Sequence, residues 1–216
     1  MEAGNCAVCK KNASYYLAHA GISYCPAHFA HYVEKKIKHG ARETSIFGSA
    51  KRLGFLLGGD VRSLAVLSVM GEIAKGQKAE LIILEWNTET PLSLSKKAKR
   101  LKLEKVITGH TIEDFVVRML VLASEKKPEK LLKLEPKTGL FGEVTGMMFP
   151  APAFRVYRKE LEEYARLKGI TGKENSEQSA LEQDLLAFIE RLEAEHPGTK
   201  HKMLKSLLYF SGKSTF

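Results

Sequence analysis

Cysteine is scarce in this chain, and its distribution is uneven. Only three of the 216 residues are cysteine, and Cys25 is the last of them. Because the thiolate is the nucleophile in sulfur chemistry, the sequence offers no thiol for such chemistry beyond that position. The sequence also lacks the run of about 18 consecutive apolar residues that a membrane-spanning helix needs. Membrane-spanning proteins and enzymes rich in reactive thiols are therefore not indicated.

The N-terminus has no charged segment followed by an apolar one, so a secretory signal is not indicated either. We expect a cytoplasmic protein without membrane contact. Apolar residues make up 44% of the chain and charged residues 27%, which is typical of a folded globular protein. A chain of this length is expected to form one or two domains.

Positive charge exceeds negative charge. The chain has 34 Lys and Arg residues against 25 Asp and Glu, a net charge of +9. Such a surplus indicates a polyanionic partner, nucleic acid above all, although surface lysine can also serve solubility alone. Basic residues concentrate at 96–102 and again at 199–216, and both clusters are candidates for contact with an RNA backbone.

Two pairs of metal-ligand residues lie near the N-terminus. Cys6 and Cys9 are separated by two residues, and so are Cys25 and His28. This spacing is typical of tetrahedral zinc, because a tight turn can aim both side chains of a pair at one ion. Four protein ligands leave no open position, so we predict structural zinc. His31 is an alternative ligand, and buried free cysteines are the alternative without a metal.

The residues around these ligands predict a small module. Segments 14–17 and 22–24 have the composition of short strands, with Gly21 in the turn between them. Apolar residues at 29, 33 and 37 predict a helix that continues to about residue 39. We therefore predict a zinc finger with a linking helix over residues 1–40, and an α/β domain with C-terminal helices over residues 41–216.

Three apolar runs alternate with helical patterns in the centre of the chain, at residues 52–57, 79–84 and 105–108. Strands that alternate with helices predict a parallel α/β sheet with a ligand crevice at the carboxyl ends of its strands. Gly58 and Gly59 follow the first run and precede a helix. Such a turn can cradle an anion with backbone N–H groups, although paired glycines also occur in plain strand-to-helix turns.

Several segments, in this order, resemble a known family. Residues 57–63 read Leu-Gly-Gly-Asp-Val-Arg-Ser, and residues 108–114 read Thr-Gly-His-Thr-Ile-Glu-Asp. Together with the zinc motif and with segments 158–170 and 192–200, they resemble the PP-loop ATP pyrophosphatases, and among these the TtuA-type tRNA 2-thiolation enzymes. The resemblance covers roughly residues 5–210. It implies a PP-loop, Rossmann-like parallel sheet that carries an N-terminal zinc finger.

The resemblance also implies a nucleotide site, because the family binds ATP, adenylates a tRNA carbonyl group and then replaces its oxygen with sulfur. The residues that match this site are Gly58, Gly59, Arg62, Ser63, Gly109, His110 and Asp114. The match is incomplete, since Leu57 replaces the family's serine and Asp60-Val61 replace its Lys-Asp pair. Binding of ATP and magnesium is therefore doubtful. Arg62 could replace the lysine as a phosphate clamp, whereas His110 and Asp114 could equally form a plain helix cap.

The family's sulfur-transfer cysteines have no counterpart here. The family has a Cys-x-x-Cys motif at the position of residues 91–97 and a third cysteine near 173–176, and neither segment contains cysteine. In the family these thiols hold an iron–sulfur cluster or relay sulfur. We therefore expect no iron–sulfur cluster. The family's second, C-terminal zinc finger is also missing from the sequence, which indicates a degenerate and truncated member.

The matches and departures together predict a non-thiolating relative of the tRNA 2-thiolation enzymes. Such a pseudoenzyme would serve as a tRNA-binding or scaffold subunit, either as a homodimer or paired with an active paralogue. Two other functions stay open: ATP-dependent adenylation of tRNA or a small substrate, and a zinc-stabilised adaptor that binds only protein. The apolar residues of a helix predicted at 178–195 are expected in the core, and any exposed remainder could form a dimer face.

Overall fold

The computed structural model describes residues 4–86, 90–173 and 179–212. Its elements follow one another in this order: β1 (Tyr15–Leu17), β2 (Ile22–Tyr24), α1 (Pro26–Glu43), β3 (Arg52–Leu57), α2 (Val61–Gly76), β4 (Glu80–Glu85), α3 (Pro91–Arg100), β5 (Lys105–Thr108), α4 (Ile112–Ser124), α5 (Pro128–Leu131), α6 (Arg158–Lys168), α7 (Ala180–Glu195) and α8 (Thr199–Phe210). The hairpin and the three central strands lie close to the predicted positions, and a helix follows each of these strands.

Strands β3, β4 and β5 form a parallel sheet in the order β4-β3-β5. Phe55 in the central strand lies opposite Ile83 on one side and Ile107 on the other. The predicted parallel α/β fold with an N-terminal finger-like module is thereby confirmed. The outer edge of β5 is covered by residues 147–150, because the N–H of Val106 donates to the Met148 carbonyl at 3.0 Å, which protects the strand from edge-to-edge pairing.

The core consists of two main apolar clusters. One joins α1, α2 and α6 to the sheet and includes the fully buried Phe55 and the nearly buried Phe29. The other surrounds α4, where Phe115 and Ile189 are fully buried. Because α1 contributes to the first cluster, the N-terminal module packs on the sheet domain. The division into residues 1–40 and 41–216 stays a prediction.

Helix α7 is less buried than its pattern predicts. Of the apolar stripe expected in the core, only Ile189 is fully buried, whereas Leu181 and Phe188 are 49% and 42% exposed. The helix packs on α4 and α8, and these contacts leave part of its apolar face exposed. The prediction of a core position was wrong for these two residues. Residue 178, its predicted start, lies outside the described residues.

Among the helices of the described residues, none is long and apolar enough to cross a lipid bilayer.

Candidate functional site

Two glycine-containing turns meet at the carboxyl ends of β3 and β5. Gly59, with a φ of +76°, turns the chain between β3 and α2. Gly109 follows β5, and a Cβ at this position would lie only 3.0 Å from the Cα of Ser63. Glycine is therefore required for the turn after β5 to approach the start of α2. This close approach brings the two motifs of the sequence analysis into one site.

A cavity of about 360 Å³ opens where the two turns meet. Six of the predicted nucleotide-site residues line it: Gly58, Arg62, Ser63, Gly109, His110 and Asp114. Gly59 shapes the turn but is not part of the lining. The structure thus brings the candidates together, while their binding of a nucleotide stays a prediction.

Other lining residues were not among the sequence candidates: Asp60, Trp86, Phe141 and Glu182. Asp60 is a departure from the family's Lys-Asp pair, but an aspartate directly before a helix is also a common N-cap. Phe141 and Glu182 come from distant parts of the chain, and no local pattern marks them as neighbours of this cavity.

The N-terminus of α2 is closed by the protein itself. The Asp60 carboxylate accepts hydrogen bonds from the N–H groups of Arg62 and Ser63, both at 3.0 Å. The N–H of Val61 donates to the Lys173 carbonyl at 3.1 Å. These three amides open the helix and, without such partners, would be free to bind an anion. The part of the anion cradle that the N-terminus of α2 would supply is therefore already occupied by protein groups.

Arg62 is held by the same carboxylate. Its Nε donates to Asp60 Oδ1 at 3.3 Å, and both side chains are about nine-tenths buried. Residues 172 and 173 lie against this turn, since a Cβ on Gly172 would come within 2.7 Å of the Leu64 side chain. Arg62 thus lines the cavity as half of an internal ion pair, unlike a lysine that reaches freely toward phosphate.

His110 is the least satisfied polar group of the cavity. Its Nδ1 is buried and has no hydrogen-bond partner among the described residues. Burial lowers the pKa of its imidazole, although Asp114 and Asp60 oppose the shift. The ring is therefore uncharged at neutral pH. It is not the satisfied histidine of a plain helix cap.

Asp114, in contrast, is fully engaged. Its carboxylate accepts from the Thr111 N–H at 2.6 Å and from the Thr111 hydroxyl at 2.9 Å, and it pairs with the Arg158 guanidinium. Burial favours the protonated form, but Arg158 and then His110 outweigh it and hold the pKa of Asp114 at about 2. This residue caps α4 and stays ionised at neutral pH, as the alternative interpretation of a helix cap requires.

One wall of the cavity is aromatic. The rings of Trp86 and Phe141 are stacked with centroids 5.4 Å apart and planes 2° from parallel. Phe141 also meets the ring of His110 edge-on. The backbone N–H of Trp86 donates to the Leu57 carbonyl at 2.9 Å, which fixes the residue beside the end of β3. A flat group could stack on such a wall.

The charged part of the lining is more acidic than basic. Asp60, Asp114 and Glu182 carry carboxylates, whereas Arg62 is the one basic side chain that the described residues contribute to the lining. Arg158, which pairs with Asp114, lies behind it. Asp60 and Asp114 are already ion-paired, with Arg62 and Arg158, so the described lining offers a phosphate group no cation that is not already engaged.

The N-terminal ligand group is compact. The Sγ atoms of Cys9 and Cys25 are 3.8 Å apart, and His28 Nδ1 lies 3.2 Å from Cys25 Sγ and 3.6 Å from Cys6 Sγ. All four ligand atoms lie within 4.8 Å of one another, as expected for ligands about 2.0–2.3 Å from one tetrahedral ion. The group could therefore bind a metal in the manner of a zinc finger. His31 is exposed and stands outside the group.

The protonation of Cys6 suits this role. Burial of its thiol opposes ionisation, but backbone hydrogen bonds from Cys25, Cys9 and Val8 outweigh it and lower the pKa to about 6. A thiol with this pKa is largely a thiolate at neutral pH, which is the form that binds metal.

Comparison with known proteins supports the fold. No profile of a protein family matches the chain, and no curated protein matches its sequence. Among solved structures, the U34-tRNA thiolase NcsA from Methanococcus maripaludis with its [4Fe-4S] cluster is similar, with a TM-score of 0.76 and 15% identity over 100% of this chain and 91% of that chain. The resemblance to PP-loop tRNA thiolation enzymes is thereby confirmed at the level of the fold.

One cofactor prediction was wrong. No iron–sulfur cluster was expected, because residues 91–97 and 173–176 lack cysteine, yet the structural neighbour carries a [4Fe-4S] cluster. The cysteine-rich group of this chain could also hold such a cluster, since thiolates ligate both zinc and iron–sulfur centres. The absence of cysteine at two expected positions did not justify the exclusion.

Proposed function

We propose that this protein is a non-thiolating relative of the tRNA thiolation enzymes that binds tRNA without activating it through ATP. The observation that carries the proposal is the closed N-terminus of α2, where Asp60 and Lys173 satisfy the amides that a phosphate would need. Arg62 is bound to the same carboxylate. A triphosphate would have to displace these contacts before the helix could bind it.

The distribution of charge supports an RNA partner. Four basic residues at the end of α3 and just after it are exposed: Lys96, Lys99, Arg100 and Lys102. Exposed cations that lie this close to one another can neutralise neighbouring phosphates of an RNA backbone. Lys200 of the second basic cluster does not qualify, because its side chain is buried and ion-paired. Lys213 lies outside the described residues.

Binding of tRNA is tested by a gel shift at several salt concentrations. The triple variant Lys96→Ala, Lys99→Ala, Arg100→Ala should bind tRNA more weakly, and its salt slope should fall by about 0.7–0.9 for each phosphate that the variant no longer neutralises. The control Lys75→Ala, Lys78→Ala removes two exposed positive charges near the end of α2 and should leave binding unchanged. The proposal fails if the wild-type protein does not bind tRNA near physiological salt.

The metal centre is part of the proposal, with Cys6, Cys9, Cys25 and His28 as its ligands. Elemental analysis of zinc and iron in protein purified without oxygen, together with the visible absorption of iron–sulfur clusters, identifies which metal is bound. The variant Cys25→Ser should lose the metal, whereas His31→Ala should retain it. Retention of metal in Cys25→Ser would contradict this ligand set.

A scaffold role would also require association with protein. The exposed Leu181 and Phe188 on α7 favour pairing with a second copy of the chain through this face. Light scattering after size-exclusion chromatography tests this, since Phe188→Asp should convert a dimer to a monomer. A wild-type protein that is monomeric at high micromolar concentration would contradict the pairing.

A further inference from the structure

The cavity at the ends of β3 and β5 combines features that do not suit a polyphosphate. Three amides at the N-terminus of α2, those of Val61, Arg62 and Ser63, already have protein partners, and three of the four charged residues described in the lining are acidic. Even so, the cavity has about 360 Å³ of space, within the range of small-molecule sites. A ligand for this space therefore has to differ from a triphosphate.

Two other features indicate what that ligand is. Trp86 lines the cavity and stacks on Phe141, so the two rings form a flat wall whose outer ring is 37% exposed. The Nδ1 atom of His110 is buried without a partner among the described residues. Buried polar atoms without partners are rare in native proteins, and this one is supplied by a residue of the cavity wall. An aromatic wall beside a single unused hydrogen-bonding atom suits a flat ring that carries polar edges.

We infer that this cavity takes an uncharged heteroaromatic group, a nucleobase or nucleoside, and that the Asp60 carboxylate excludes polyphosphates from it. The ring would stack on Trp86 and form a hydrogen bond with His110. The base could belong to a free nucleoside or to an unpaired nucleotide of bound RNA, because both present the same ring. The inference rests on the proposed function, since it names the ligand of the site that has lost its phosphate cradle.

The tryptophan itself reports on the site, because Trp86 is the single tryptophan of the chain. Titration of the wild-type protein with adenosine and uridine should quench its fluorescence saturably. Titration with ATP and magnesium should require at least a tenfold higher concentration for the same quenching, and pyrophosphate should have no effect. A parallel titration of free tryptophan corrects the fluorescence for light absorbed by the ligands.

Asp60→Asn separates charge from capping, because asparagine is an equally good N-cap. This variant should reduce the preference for nucleoside over triphosphate at least threefold. Glu104→Gln is a matched control, since the Glu104 carboxylate also accepts two backbone N–H groups, at 2.7 and 3.2 Å, but outside the cavity. It should leave the preference unchanged. His110→Ala should weaken nucleoside binding about tenfold, the loss expected for one buried hydrogen bond.

A single-stranded oligonucleotide separates the two sources of the base. Quenching by the oligonucleotide that disappears when its nucleotides are abasic indicates a base of RNA, and quenching by nucleosides alone indicates a free ligand. The inference is overturned if ATP with magnesium binds as tightly as adenosine, or if no base or nucleoside quenches Trp86 at millimolar concentration. These outcomes are independent of the gel shift with tRNA. If Asp60→Asn does not fold, the wild-type preference still decides.

Discussion

Replacement of Lys200 by methionine should destabilise the protein strongly. The Lys200 ammonium is almost fully buried and donates to Glu113 at 2.8 Å and to Glu190 at 2.5 Å. Glu113 is itself fully buried and also accepts from the N–H of Arg158 at 3.0 Å. In Lys200→Met the Glu113 charge would remain buried without its cation. Loss of one partner of a buried ion pair costs about 3–5 kcal/mol.

The assay is urea unfolding followed by circular dichroism, with the metal content held constant. Lys200→Met should lose about 3–5 kcal/mol in the free energy of unfolding. Lys202→Met, an exposed position on the same helix, should change it by less than about 0.5 kcal/mol. The double variant Glu113→Gln, Lys200→Met should recover part of the loss, because no unpaired charge stays buried.

The pH dependence gives a second test of the same ion pair. Burial raises the pKa of Glu113, and Lys200 limits the rise. Without Lys200 the pKa should rise further, so the folded variant would bind a proton that the unfolded chain does not. Such a group favours folding at low pH, and the loss in Lys200→Met should therefore be smaller at pH 5 than at pH 8. Equal stability losses in Lys200→Met and Lys202→Met would refute this reasoning.

Two further predictions concern the turn after β5 and a buried histidine. Gly109→Ala should lower the free energy of unfolding by about 1–3 kcal/mol, because the new Cβ would lie 3.0 Å from the Cα of Ser63. The control Gly71→Ala, which has open space at its Cβ, should be neutral or stabilising when both variants are compared by thermal unfolding. Burial, together with the nearby charges of Lys36 and His19, lowers the pKa of His201 to about 3. As the pH falls, His201 is therefore protonated in the unfolded chain before it is protonated in the folded protein, and the free energy of unfolding should decrease below about pH 6.5. His201→Gln should flatten that slope in urea titrations at pH 7 and pH 5, and an unchanged slope would contradict the assignment.

Much of the fold could be predicted because its signals are local. The runs at 52–57 and 105–108 are apolar and short, and each is followed by glycine, so both strands and both turns could be placed from the sequence. Parallel strands bring their carboxyl ends together, which is why the two glycine motifs could be expected in one site.

The closure of that site could not be predicted in the same way. It depends on the Lys173 carbonyl, which pairs with Val61 across more than a hundred residues, and no sequence period marks such a contact. Lys200 shows the same limit, since it looked like one more surface lysine until the fold placed Glu113 beside it. The extent of the exposed face of α7 could not be predicted, because a helical period indicates an apolar face, whereas the area of the partner surface decides how much of that face is covered.

The most direct test of the central claim is release of pyrophosphate from ATP in the presence of tRNA and magnesium, measured with radiolabelled ATP and purified protein. The closed α2 N-terminus, with Asp60 on the amides of Arg62 and Ser63, predicts no pyrophosphate above the level of a heat-inactivated sample, even where tRNA is bound. Pyrophosphate release that requires tRNA and is lost in Ser63→Ala would show that the site still activates its substrate, and the account would be contradicted.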